Sequence, residues 1–363
     1  MEKQKIRYQK EFAKRIKTEK WQELVTFIEK KEQYIRNSYQ EMPKFGKDKF
    51  ITMILYDAIF IIELFIRCEE EQNDFLLRQP RLKFAIRTDL QLLENQLPYS
   101  IVEDLYKIAS PTLPTDSQRR CDSFFEYSCN FFSIDIVKEK RDEGNVKHFV
   151  DLRRKAMTRK YPKLSSREEY IDFPASALKL QKSGVKFKHN ESPHLLDIKF
   201  EKTMSRIPWL QVHDELQIPQ IEISDETECL IRNVMALEQC HYPTDTHVCN
   251  YIHLMDDLID TKEDVELLVE AKIISNLLGD TARIAEMFNA LCLQITWSSS
   301  CYQDITKKLK AHYENRWNHA MATLKRVYFS NYWRGTGTIA AIVILLLTLI
   351  QTVCSILQVV QFD

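Results

Sequence analysis

Five residues able to ligate a metal or carry a proton crowd one short stretch: Cys240, His241, His247, Cys249 and His253. A structural zinc site draws four such ligands into a tetrahedron, at spacings such as C-x2-C and H-x3–5-H. Here only the steps from His247 to Cys249 and from Cys249 to His253 approach that pattern. Cys240 and His241 are adjacent, so on a helix they project about 100° apart and do not make a nucleophile and base pair. The stretch reads as buried thiols and polar histidines around a turn at Pro243. The acidic run that follows, Asp256, Asp257, Asp260, Glu263 and Asp264, lacks the interleaved glycine and the bidentate glutamate of a calcium loop. It reads instead as acids placed at helix ends, where the N-terminal dipole favours them.

Glu63 sits inside FITMILYDAIFIIELFI (50–66), a segment apolar on every face apart from Asp57 and Glu63 itself. Burial without a partner would raise its pKa, which is how general acids are made, but Arg67 stands one turn on as a natural ion pair. No partner carboxylate or nucleophile elbow is legible elsewhere. A membrane-tethered hydrolase would need Glu63 or the Cys240–His253 region to converge with Asp57 or Glu94 in a deep pocket. The sequence therefore assigns no catalytic, cofactor-binding or metal residue, and no cofactor.

The elements that would position these groups are mostly helical. Six glycines, at 46, 144, 184, 279, 335 and 337, can build neither a phosphate-cradling loop nor a GxGxxG turn. Nine cysteines without a CxxC pair suit reduced, buried thiols of a cytosolic protein. A net charge of -1 sets up no global field for nucleic acid, and 44% hydrophobic residues are ample for a packed core.

Apolar spacing predicts a basic amphipathic helix over 1–36, whose face could rest on a membrane surface, then a central buried helix over Phe50–Ile66. Two short helices follow in Asp89–Tyr106, broken at Pro98, with further helices over Cys121–Val137, Val146–Met157 and Ser176–Lys182, the last closed by Gly184. From Val185 to Ile223 the period shortens to two, which predicts a small antiparallel sheet. Helices resume at Ser224; Thr261 with Asp264 makes a capping box, Asp280 caps a helix through Leu291, and Ile305 to Tyr328 forms one juxtamembrane helix.

The chain ends in Ile339–Val360, IAAIVILLLTLIQTVCSILQVV, without a charged side chain. About 22 helical residues span roughly 33 Å, enough for the ~30 Å hydrocarbon core of a bilayer. Thr348, Gln351, Thr352, Ser355 and Gln358 are neutral and bond across helices or back to the preceding turn. Lys307, Lys308, Lys310, Arg316, Lys325, Arg326 and Arg334 precede this run against Glu314, so the positive-inside rule puts the bulk of the chain in the cytoplasm. The start, MEKQKIRYQKEF, has no apolar signal region, and post-translational insertion as a tail anchor is the expectation.

Several phrases carry a resemblance: LQLLENQLPYSIVEDLY (90–106), GVKFK (184–188), LLDIKF (195–200), IRNVMALEQCHYP (231–243), LMDDLID (254–260) and WNHAMATLKRVYF with LLLTLIQTVCSIL near the end. Together they resemble plant proteins carrying domain of unknown function 247. The resemblance implies a helical domain facing the cytoplasm, one C-terminal span and no assigned catalytic residue. It also implies a recognition or signalling role, since some members are implicated in pollen-side self-recognition in grasses. Family members usually begin with a further segment, so the chain is expected to be shortened at its start, or a shortened copy.

The expected architecture is mainly α: a helical part over 1–183, a small antiparallel β element over 184–223, a second helical part over 224–334 and a transmembrane helix over 339–360. Ile339 and Val360 mark its ends, with Lys325, Arg326 and Arg334 as the juxtamembrane basic residues. The expected function is a non-enzymatic, single-pass, tail-anchored interaction module. Its partners are the lipid bilayer and an unidentified protein, with no nucleic acid.

Overall fold

The computed structural model describes residues 1–41, 44–70, 72–113, 121, 123–135, 146–159, 175–204, 212–296, 300–328 and 332–360. Its helices, in chain order, are α1 (Glu2–Arg15), α2 (Thr18–Asn37), α3 (Lys47–Glu69), α4 (Phe75–Arg78), α5 (Pro80–Asp89), α6 (Tyr99–Ala109), α7 (Phe124–Phe131), α8 (Phe149–Thr158), α9 (Ala177–Lys182), α10 (Thr227–His241), α11 (His247–Leu258), α12 (Lys262–Glu270), α13 (Thr281–Leu291), α14 (Gln303–Glu314), α15 (Arg316–Tyr328) and α16 (Tyr332–Val360). The strands are β1 (Lys186–Asn190), β2 (Lys199–Met204), β3 (Val212–Pro219), β4 (Ile221–Ile223) and β5 (Ile274–Asn276). The fold is mainly α with a small sheet, as the sequence predicts. Two compact units interleave along the chain: Met1–Lys163 with Asp225–Cys249, and Leu164–Ser224 with Asn250–Asp363.

The first unit is organised around α3. Its near-continuous apolar surface has to be covered, and α1, α2, α6 and α7 cover it. Phe65 stacks on Phe131 at 4.4 Å between ring centres and meets Phe132 and Phe149 edge-on. The predicted N-terminal helix is two helices, because Ile16 turns to extended geometry between α1 and α2. That corner buries Tyr8 and Phe12 from one helix and Leu24, Ile28 and Ile35 from the other. The stretch after α5 is also not the short helix expected. Gln96 instead folds its side chain back to donate to the Leu90 and Leu92 carbonyls, and the Leu93 amide donates to Asn233. Helix α6 then starts directly after Pro98, as predicted.

In the second unit α9 ends in a Schellman motif. Gly184 has φ +103, its amide donates to the Gln181 carbonyl, and the Val185 amide reaches Leu180. The β element is mixed, not purely antiparallel. β3 lies between its two predecessors, antiparallel to β2 and parallel to β1, and β4 pairs in parallel with β5, far along the chain. A period of two specifies a strand and its faces, but leaves the partner open. Thr261 and Asp264 complete the predicted capping box, and Asp280 caps α13 through the Ala282 amide. The single helix expected over Ile305–Tyr328 is in fact two, α14 and α15. Asn315 leaves helical geometry between them, and its side chain accepts from the Trp317 amide, the local competition that ends helices at asparagine.

Candidate functional site

Glu63 is fully buried in the first unit, but it is not isolated. It accepts from Arg67 at 2.7 Å and lies 3.4 Å from Arg15. Arg67 also bonds Asp74 at 3.0 Å and Glu11, and its guanidinium covers the Tyr8 ring at 4.5 Å. The Tyr8 hydroxyl donates to Asp74 at 2.7 Å. Burial pushes the Glu63 carboxyl up against the pull of Arg15 and Arg67. Burial also opposes the charge on Asp74, yet the bonds from Tyr8 and the Leu76 amide, with Arg7 and Arg67, hold it below the usual carboxylate range. Every acid in this cluster faces a cation, so the arrangement acts as a latch joining α1, α3 and the start of α4.

Asp57 and Glu94 do share a cavity in this unit, of about 230 Å³, lined also by Lys5, Tyr39, Phe60 and Asp89. Lys5 pairs with Asp57 at 2.6 Å. Glu63 is not in the lining, nor are Cys240, His241, His247 or Cys249.

The cysteine and histidine stretch does not converge on one point. Cys240 is exposed, and His241 ends α10 at the surface. Cys249 is buried, its thiol directed at the Met235 carbonyl at 3.8 Å, while buried His247 approaches Asp245 at 3.0 Å. The organising residue here is one that sequence reasoning missed, Glu238. It accepts from the Val248 and Cys249 amides at 3.3 and 2.9 Å, capping α11, and from Arg154 at 2.9 Å. Arg154 stacks on the Tyr242 ring at 4.0 Å, and Tyr242 donates to Asp151 at 2.7 Å.

In the second unit His253 and Asp256 meet Cys292, which lies just past α13; one donor atom from each falls within 4.8 Å of the others. Spacing along the chain gave no sign of Cys292, because only the packing of the helices brings it there. The trio offers three donors where a closed zinc site takes four, and Asp256 already bonds Cys292. Asp264, read as a helix-end acid, accepts from Thr261 and also from the Leu178 amide at 2.9 Å, tying α12 to α9.

Comparison with known proteins now bears on this scaffold. The family profile for domain of unknown function 247, described as a plant protein of unknown function, matches residues 1–347. The chain belongs to that family. It is 25% identical to UPF0481 protein At3g47200 of Arabidopsis thaliana over 364 aligned residues, covering 92% of this chain and 74% of the relative. A second Arabidopsis thaliana UPF0481 protein, At3g02645, is 25% identical over 173 residues, 47% of this chain and 31% of the relative. No solved structure matches the chain.

Among the described residues one helix is long and apolar enough to cross a membrane, Thr336–Ser355 within α16, and none of it is buried. That stretch begins before the expected end at Ile339, and α16 continues to Val360. Thr348, Thr352 and Ser355 each donate to the carbonyl four residues back, so their hydroxyls are satisfied within the helix. Arg326 is exposed near the end of α15; the side chains of Lys325 and Arg334 lie outside the described set.

Proposed function

We propose that this plant protein is a tail-anchored, single-pass membrane protein whose folded helical part faces the cytoplasm and acts by binding another protein. The observation that carries the reading is Thr336–Ser355, a 20-residue apolar helix with no residue buried. Left in water, such a surface would be an aggregation site, whereas a bilayer satisfies it. The basic residues before it support the cytoplasmic orientation. The binding role is supported by how the titratable groups are used: Glu63, Asp74, Glu238 and Asp264 hold helices together. The cavity at Asp57 and Glu94 favours a second reading, a small-molecule site, and ligand-dependent protection of α3 amides would test it.

The primary test is protease protection of microsomes carrying the full chain with a tag at each end. Digestion of the N-terminal tag without detergent, with the C-terminal tag shielded, is expected. Protection of the N-terminal tag would overturn the orientation and reopen the nine cysteines as disulfide candidates. Proximity labelling from the N-terminus then addresses binding. Neighbours identical to those of α16 fused to an unrelated domain would refute the interaction role.

A further inference from the structure

Helix α15 carries an exposed apolar stripe that its own unit does not cover. Trp317, Met321, Leu324 and Tyr328 recur every three to four residues, and all are exposed, Trp317 at 69%. At 3.6 residues per turn these four positions fall within an arc of about 60°. The stripe is not a helix hanging free in solvent. About a third of a turn away, the Asn318 amide donates to the His312 carbonyl at 3.0 Å, and Ala322 approaches Gly184 closely enough that a Cβ there would sit 3.4 Å from its own. One side of α15 is therefore docked on α14 and the α9 turn, which fixes the direction in which the bare side points.

We propose that this stripe lies in the headgroup layer of an anionic membrane leaflet, with α15 parallel to the surface beside its own span. The proposal rests on the anchor reading above and goes beyond it. Three observations select lipid as the occupant. First, α15 ends at Tyr328 and α16 starts at Tyr332, so four residue steps hold the C-terminal end of the stripe within about 14 Å of the start of α16, and the Thr338 hydroxyl donates to the Tyr328 carbonyl at 3.3 Å. Second, the residues exposed are those that favour a membrane–water interface. Trp317 opens α15, Tyr328 closes it, and Trp333, 83% exposed, stands at the start of α16. Indole and phenol rings partition to this layer because one part of the ring is apolar and another needs a hydrogen bond. Third, the charge has the matching sign. Arg316 and Lys325 flank the stripe in helical register, and the segment 305–334 holds seven Lys and Arg against Glu314. A helix with an apolar face bordered by cations is the pattern that lies in, and does not cross, an anionic surface.

The test uses the full chain in liposomes of phosphatidylcholine with phosphatidylserine, carrying a fluorescent amino acid at Met321, Leu345 or Glu263 in separate samples. Nitroxide-labelled lipids supply quenchers at a shallow or a deep position on the acyl chain. The expected result is quenching at Leu345 by the deep label, roughly twofold or greater quenching at Met321 by the shallow label, and none at Glu263. Replacing phosphatidylserine with neutral lipid is expected to weaken quenching at Met321 while leaving Leu345 unchanged. Quenching at Leu345 without quenching at Met321 overturns this proposal alone, and leaves the stripe to a protein partner or a second copy of the chain. Loss of quenching at both positions overturns the anchor reading, and this proposal with it.

Discussion

Replacing Arg67 with methionine should cost the first unit far more stability than neutralising the glutamate it pairs with. Methionine keeps most of the stem's volume, so the change isolates the charge. Arg67 serves Glu63, which is fully buried, Asp74, almost as buried, and Glu11 at the rim. Removing one partner of a buried ion pair typically costs about 3–5 kcal/mol, because the other charge is left uncompensated. Here Glu63 keeps Arg15 at 3.4 Å and Asp74 keeps Arg7, Tyr8 and the Leu76 amide, so the low end, about 3 kcal/mol, is expected. Glu63→Gln leaves Arg67 with Asp74 and Glu11 and still presents an acceptor oxygen, for a cost of about 1 kcal/mol. Hydrogen exchange of the α3 amides in the full chain reads both as opening free energies. The arginine variant should exchange on the order of 100-fold faster, and the glutamine variant less than about tenfold faster. A glutamine variant as damaged as the arginine variant would refute the assignment of Arg67 as the hub.

The same cluster fixes a pH dependence whose signs differ by residue. Glu63 is raised in the fold, so its contribution is present at low pH and is lost as pH rises through the raised value. Asp74 and Glu11 are lowered, so theirs is present at neutral pH and is lost as pH falls through their lowered values. The bond from Arg67 is the first cause at Glu11, so Arg67→Met should flatten the acid side of the stability profile.

Further outcomes follow from other joints. His148 caps α8 through a neutral ring nitrogen accepting from the Asp151 amide, and burial pushes its pKa down to about 4. The fold therefore loses stability as pH falls from the ordinary histidine range toward that value, and His148→Asn, which keeps a cap without titrating, should remove that component from a thermal-melt series. Alkylation with N-ethylmaleimide followed by mass spectrometry should modify exposed Cys240 in the native chain. Cys249, buried and with its thiol pushed up by burial, and Cys121, pushed up to about 12, should react only on unfolding. Asp264→Ala should destabilise α12 by about 2 kcal/mol by amide exchange and Thr261→Ala by about 1 kcal/mol, because Asp264 also holds the Leu178 amide.

What was legible in the sequence was whatever local chemistry encodes: the buried α3, the Gly184 cap, the capping box at Thr261 and the Asp280 cap. What was not legible depended on partners far along the chain. The turns after α5 are held by Asn233, 140 positions on, and β5 finds β4 about fifty residues back. The break at Asn315 had a local signal, an asparagine able to cap the next helix, but the apolar spacing on both sides masked it. Spacing along α10 and α11 is silent on Cys292 for the same reason: packing of distant helices sets it against His253 and Asp256, and packing gives the organising role to Glu238.

Three of the phrases by which the chain resembles its family contain residues that make long-range joints. IRNVMALEQCHYP contains Asn233, which holds the Leu93 amide at 2.6 Å, Glu238, which joins α8, α10 and α11, and Tyr242, which bonds Asp151 91 positions away. LQLLENQLPYSIVEDLY contains Gln96, whose side chain accepts from the Phe149 amide at 2.9 Å, and Leu93 itself. LLDIKF contains Leu196, whose carbonyl accepts from the buried Tyr302 hydroxyl at 2.9 Å. A buried polar group that loses its partner costs about 1–3 kcal/mol, so such residues constrain a sequence whether or not they take part in function. The contact with the proposed partner is better sought on exposed faces of the first unit, among them the rim of the cavity at Asp89 and Glu94. Charge reversal at those two exposed acids should leave exchange of the α3 amides unchanged while altering the proximity-labelled neighbours. Unaltered neighbours would move the search for the binding face away from that rim.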